Sequence, residues 1–113
     1  MASSRPGRRA EARAARWYRV RGYRVLAANA WVAGYELDLV VRRGRRIVFC
    51  EVKEKLGDAF GEPEAMVDAE KQRRIRAAAA GWLAAHPEAN GLDVSFDVIA
   101  VQSGRLRRLA EAF

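Results

Sequence analysis

Glu36-Leu-Asp-Leu-Val-Val-Arg-Arg-Gly-Arg-Arg-Ile-Val-Phe-Cys-Glu-Val-Lys53 is the stretch whose reading decides the fold. On both sides of Gly44 the residues alternate between two faces, the period of a β-strand, and a glycine-containing break separates the two runs. Gly44-Arg45 suits a two-residue type II′ turn with glycine at its first central position. Counting outward pairs Arg43 with Arg46, Val41 with Val48, Val40 with Phe49, Asp38 with Glu51 and Glu36 with Lys53. One face then carries Val40 and Phe49 near the turn, and Asp38, Glu51, Glu36 and Lys53 farther from it.

Two carboxylates across a strand pair repel and weaken the sheet unless something offsets them. A divalent cation does so. Mg²⁺ or Mn²⁺ takes an octahedral set of hard oxygens, which Asp38 and Glu51 begin and the main-chain carbonyl of Val52 extends. Lys53 lies two residues beyond Glu51, on the same face, where an ammonium can orient or help deprotonate a water and balance charge on a phosphorane-like transition state. Phosphodiester hydrolysis is the chemistry these groups suit. Only one histidine, His86, and one cysteine, Cys50, are present, so no Ser-His-Asp or Cys-His nucleophile competes. The plain alternative is a solvated strand face, because Glu-x-Lys alone is a weak motif.

Outward from the hairpin, Met1 to Arg8 reads as a mobile basic arm and residues 9–113 as a single domain. A helix should run from there to Arg21, stopped by Gly22, with Ala14, Ala15, Tyr18 and Arg21 at helical spacing and Glu11 on the same face. Tyr23 to Ala30 is expected as a strand, followed by a turn at Ala33-Gly34. The segment after Lys55, with Gly57, Gly61 and Pro63, reads as a flexible loop. Asp68 caps a second helix running to about Ala85, with Ile75, Ala79, Trp82 and Leu83 inward and Gln72 extending that stripe. Asn90-Gly91 gives a turn, Val94 to Gln102 a last strand, and Arg105 to Phe113 a short tail or helical turn. The fold class is α/β, a mixed central sheet flanked by helices in the order α-β-β-β-α-β. Trp17, Trp31 and Trp82 are expected to pack in or around the core.

The chain of 113 residues holds 21 Lys and Arg against 14 Asp and Glu, a formal charge of +7, which favours a polyanionic partner through counterion release. Nucleic acid is therefore the expected partner. Arg42, Arg43, Arg45 and Arg46 at the hairpin turn, and Lys71, Arg73 and Arg74 on the second helix, are the candidate phosphate contacts. No apolar run approaches the roughly 20 residues a membrane-spanning helix needs, and no secretion signal opens the chain, so a cytoplasmic protein is expected. The lone cysteine, inside an apolar run, reads as a core residue.

Arg8-Arg-Ala-Glu-Ala-Arg-Ala-Ala15, Gly22-Tyr-Arg-Val-Leu, Glu36-Leu-Asp-Leu, Val48-Phe-Cys-Glu-Val-Lys53, Lys71-Gln-Arg-Arg and Phe96-Asp-Val-Ile together resemble the YraN-like family of predicted endonucleases, within the PD-(D/E)xK superfamily. The resemblance covers nearly the whole chain after residue 7. It implies a restriction-endonuclease-like fold similar to archaeal Holliday junction resolvases. It further implies Asp38 and Glu51 as metal ligands, Lys53 as the catalytic lysine, and Glu11 and Gln72 as helix-borne supports. The chain departs from the family at Ala10 and Tyr35, where glycine is usual, and at Glu54, where threonine is. The expectation is a Mg²⁺- or Mn²⁺-dependent nuclease acting on DNA, including branched DNA, with RNA the other candidate substrate and a homodimer needed for symmetric cleavage of both strands. The rival readings are a nucleic-acid-binding module of the same fold without chemistry, and a protein-interaction domain that meets an acidic partner.

Overall fold

In the computed structural model, which describes residues 7–55 and 67–113, helix α1 (Arg8–Val20) precedes three antiparallel strands, β1 (Arg24–Val32), β2 (Tyr35–Arg43) and β3 (Arg46–Lys55). Helix α2 (Ala69–Ala84), a short 3-10 turn (Pro87–Ala89), β4 (Asp93–Gln102) and β5 (Arg105–Leu109) follow. The five strands lie in the order β1-β2-β3-β4-β5, with β3 and β4 parallel and the other neighbours antiparallel. A parallel pair needs a long crossover, and α2 lies within it.

The hairpin register follows from its turn as expected as far as Leu39 and Cys50, but the expected pairs Asp38–Glu51 and Glu36–Lys53 fall beyond the end of the ladder. Gly44 has φ +59°, as the first central position of a type II′ turn requires, and the ladder pairs Arg43 with Arg46, Val41 with Val48 and Val40 with Phe49. Ala33-Gly34 forms the preceding turn, with positive φ at both residues between the paired Val32 and Tyr35.

The two helices cover opposite faces of the sheet. Ala10, Ala14 and Tyr18 of α1 pack on Leu39, Val41, Val48, Cys50, Val52 and Ile99, while Ile75, Ala78, Ala79 and Trp82 of α2 pack on Leu37, Val40, Ile47, Phe49 and Val98. Strand alternation explains the split: even residues of β3 face α1 and odd ones face α2. Because both faces are covered, the central strands are nearly continuous apolar runs. Cys50 is a buried free thiol within the α1-side core. Gly81 brings α2 close to the sheet, since a Cβ there would come within 2.7 Å of Val32 Cγ1.

Several expectations need correction. Residues 105–109 form a fifth strand rather than a tail or helical turn, so the order is α-β-β-β-α-β-β. Ser103 and Gly104 both take positive φ and return the chain in a tight turn between the paired Gln102 and Arg105. The arginine-rich strand has little β-branched signal, and its place is fixed by tertiary contacts to Asp97: Arg108 Nε donates to Oδ2 at 3.0 Å and the Glu111 N–H to Oδ1 at 3.1 Å. β1 is shifted to Arg24–Val32 from the expected Tyr23 to Ala30. Arg8 already belongs to α1, and Arg21 is an exposed cap rather than part of the inner stripe. Trp31 is 70% exposed and belongs to neither core, unlike buried Trp82 and partly buried Trp17. The expected loop after Lys55 falls largely outside the described residues, as does most of the expected arm.

Candidate functional site

The β2–β3 ladder ends at Leu39 and Cys50. Beyond it the Val52 N–H donates to Asp38 Oδ2 at 2.9 Å, so the carboxylate takes the place of a strand carbonyl. A strand residue presents its N–H and C=O to the same side, so the Val52 carbonyl also faces β2. The irregularity continues into β1, where Asn29, between the Ala28–Leu39 and Ala30–Leu37 pairs, has φ +54°. Alternation slips here: Leu37 packs on the α2 side and Leu39 on the α1 side, leaving Asp38 at the crossover between cores.

Asp38, Glu51, Lys53 and Glu36 line one cleft of about 450 Å³ on the α2 side of the sheet. Its opposite bank is the N-terminal end of α2, from which Asp68, Glu70, Lys71 and Arg74 project, and Trp31, Gly34 and Tyr35 of the β1–β2 hairpin complete its lining. The Asp68 side chain accepts from the Lys71 N–H at 2.8 Å, capping α2 and fixing where Lys71 leaves the helix. Asp38 and Glu51 are buried and Lys53 is half-buried.

This crowding perturbs all three groups. Burial pushes the Asp38 carboxyl up to about 6, against the pull of the Val52 N–H and Lys53. Burial and then the charge of Asp38 push Glu51 up to about 7. The Tyr35 hydroxyl works the other way by donating to Glu51 Oε1 at 3.0 Å. Lys53 is brought down to about 8, first by burial and then by neighbouring Lys71. Two carboxylates held at a cost to their charged form, beside an amine whose proton is held less tightly than usual, form a site prepared for an added positive charge.

Among the described residues no group of three or more His, Cys, Asp and Glu side chains is placed to hold a metal by itself. The donor set lining the cleft is a carboxylate pair, which fits a hard cation that keeps several water or substrate oxygens, while Val52, the third expected ligand, lines the smaller cavity on the other side of Asp38. The set does not fit a closed structural zinc site.

The structure brings the other expected residues together only in part. Glu11, on α1, lines a smaller cavity of about 210 Å³ with Asn29, Asp38 and Val52, behind Asp38 rather than in the main cleft. Its Oε1 accepts from Asn29 Nδ2 at 3.4 Å, while its Oε2 and the Asn29 Oδ1 are buried and without partners among the described residues. Gln72 does not line the cleft; its Nε2 donates to the Val67 carbonyl at 3.0 Å and secures the entry to α2. Arg73 is exposed and paired with Glu70, which also holds Arg74 Nε at 3.1 Å.

The hairpin arginines lie away from the site, since Arg43 is five residues from Asp38, a span of about 17 Å along a strand. Each also has an internal partner. Arg42 Nε donates to the Gly44 carbonyl, Arg43 Nη1 to that of Arg21 and Arg45 Nη2 to that of Gly91, while Arg46 Nη1 lies 3.8 Å from Glu111 Oε2.

Sequence reasoning missed Asn29 and Trp31. An asparagine within an otherwise apolar strand was a usable signal, because Asn is enriched in the left-handed region. Nothing in the periodicity marked Trp31 as a cleft residue.

Comparison with known proteins gives the family. Residues 10–101 match the model of "Uncharacterised protein family UPF0102". The chain is 43% identical over 107 residues to a UPF0102 protein of Bordetella avium, covering 95% of this chain and 73% of that protein. It is 43% identical over 100 residues to one of Anaeromyxobacter dehalogenans, covering 87% and 72%. Against the UPF0102 protein YraN of Escherichia coli it is 37% identical over 107 residues, covering 91% and 79%. Among the described residues no helix is long and apolar enough to cross a membrane. With a family model spanning most of the sequence and relatives this similar along most of their length, the chain belongs to the UPF0102 family.

Proposed function

We propose that the protein is a metal-dependent nuclease with a restriction-endonuclease-like core, hydrolysing phosphodiester bonds of nucleic acid, with DNA the first candidate. The observation that carries the reading is the meeting of Asp38, Glu51 and Lys53 in one cleft, with both carboxyls displaced upward and the amine downward.

Asp38, Glu51 and the Val52 carbonyl would hold Mg²⁺ or Mn²⁺, which when bound polarises the phosphate and acidifies water. Lys53, brought down to about 8, can take a proton from the attacking water or neutralise charge gathering on the phosphate oxygens. In the reaction the water oxygen forms a bond to phosphorus, the ester P–O bond breaks, and the leaving oxygen is protonated. Lys71 and Arg74, across the cleft, suit the flanking phosphates. The net charge of +7 draws the polyanion in and makes binding salt-sensitive.

The test is incubation of purified full-length protein with duplex, branched and single-stranded DNA and with RNA, in Mg²⁺ or Mn²⁺, alongside Lys53→Ala. Cleavage that needs the metal and is lost in the variant supports the reading. Equal product from parent and variant would trace the activity to a contaminant and overturn it. Salt-sensitive binding by a parent that never cleaves would identify a nucleic-acid-binding module instead.

A further inference from the structure

The geometry points to a substrate class for this cleft: nucleic acid with an unpaired nucleotide next to the scissile phosphate, its base stacked on Trp31. The inference rests on the nuclease reading for the word scissile, but its structural basis is separate. Trp31 is 70% exposed, the indole belongs to neither core, and yet it lines the same cleft as Asp38 and Glu51. The other two tryptophans are occupied. Trp82 stacks on His86 with ring centroids 3.8 Å apart, and Trp17 lies under Arg21 and packs edge-on against Tyr18.

A single exposed apolar side chain needs no explanation on its own. Position gives this one a meaning. Trp31 is paired across the strands with Glu36, on the edge strand of the sheet, and both residues line the cleft. Lys71 and Arg74 of α2 line the same cleft, as do Asp38 and Glu51. A strand threading the cleft would place its phosphates by the cations and the metal-binding carboxylates, and a neighbouring base by the indole. Cationic grooves with aromatic platforms are how single strands are held, because every base has a π-face whatever its identity. A continuous duplex keeps both faces of each base stacked within the helix, so it has none to offer the ring.

Stacking on an aromatic side chain is worth about 1–3 kcal/mol per base, so losing it should weaken binding roughly 5- to 150-fold. The experiment measures fluorescence anisotropy of labelled blunt DNA duplex, the same duplex with an unpaired flap, and single strands of DNA and RNA. EDTA is present so that nothing is cut. Full-length protein is compared with Trp31→Ala and Trp31→Phe, with circular dichroism confirming that each folds. The expected result is tighter binding of flap and single strand than of duplex, a loss of at least about fivefold for those ligands in Trp31→Ala, partial recovery in Trp31→Phe, and no change for blunt duplex. Unaltered binding of unpaired ligands by Trp31→Ala, or an equal loss on blunt duplex, would overturn the inference. The two readings fail separately: cleavage lost with Lys53→Ala but indifferent to Trp31 removes only this inference, and Trp31-dependent binding without metal-dependent cleavage removes only the nuclease. The DNA and RNA arms show which backbone the cleft prefers.

Discussion

The main-chain N–H of Val52 donates to Asp38 Oδ2 at 2.9 Å, so a carboxylate completes the sheet where the β2–β3 ladder gives out. This fixes Asp38 without neutralising it. Its charge is left to raise Glu51, so the ionised pair is electrostatically unfavourable.

Replacing one carboxylate should therefore have opposite effects on the two forms of the protein. Asp38→Asn keeps an oxygen able to accept from Val52 while removing the repulsion. Metal-free protein is predicted to gain stability on the order of 1 kcal/mol, or about 4 °C or more in Tm, at a pH above the value of about 7 that Glu51 reaches. The parent is predicted to gain Tm on addition of Mn²⁺, and the variant is predicted not to. A variant that is destabilised, or that keeps the response to Mn²⁺, would count against the site.

The pH dependence has a definite sign. Asp38 and Glu51 are raised to about 6 and about 7 in the folded protein. Unfolded Asp and Glu titrate near about 3.9 and about 4.3. Between those limits the folded state holds more protons, so the metal-free protein should lose stability as pH rises through about 6 and 7. Metal requires the ionised carboxylates, so Mn²⁺ should protect more at the upper end of that range than at the lower. Thermal melts across it, with and without Mn²⁺, measure both trends.

Tyr35 holds Glu51 by a hydrogen bond that favours the carboxylate. Tyr35→Phe keeps the ring and removes the donor. Divalent-cation affinity by calorimetry is predicted to fall about tenfold, as for partners that support metal ligands elsewhere. The fold, by circular dichroism, should be unchanged. Undiminished affinity would mean that Tyr35 only narrows the cleft mouth.

Asp97, fully buried, accepts from Tyr18 Oη at 2.6 Å as well as from Arg108 and the Glu111 N–H, joining α1, β4 and β5. Asp97→Ala would strand a buried hydroxyl and a part-buried guanidinium, and is expected to cost about 3–5 kcal/mol in urea denaturation. Nucleic-acid affinity of the fraction that remains folded should match the parent, because the network is not part of the cleft.

The sequence by itself determined the hairpin and, through it, the pairing of strands. Strand alternation has a period of two, and a two-residue turn at Gly44 leaves one register, so the pairs from Arg43–Arg46 to Leu39–Cys50 and the shared face of Glu51 and Lys53 were readable from the sequence, whereas Asp38 reaches the same cleft beyond the end of that ladder. The Asp68 cap of α2 and most of the apolar stripe of each helix were readable for the same reason, as local chemistry with a fixed period, although Arg21 proved to be the exposed cap of α1.

Only the tertiary structure decided what depends on contacts between distant segments. β5 exists because Asp97 and a tight turn at Ser103-Gly104 draw a weakly β-prone segment onto β4. Trp31 faces the cleft because of where the β1–β2 turn meets the bank of α2, which the spacing of residues along one strand does not encode. The slip in alternation at Asp38, the left-handed Asn29 and the seating of Glu11 behind the carboxylate likewise arise where three elements meet. Local periodicity places side chains on faces, whereas the depth of a cleft and the burial that displaces its charges belong to the packed whole.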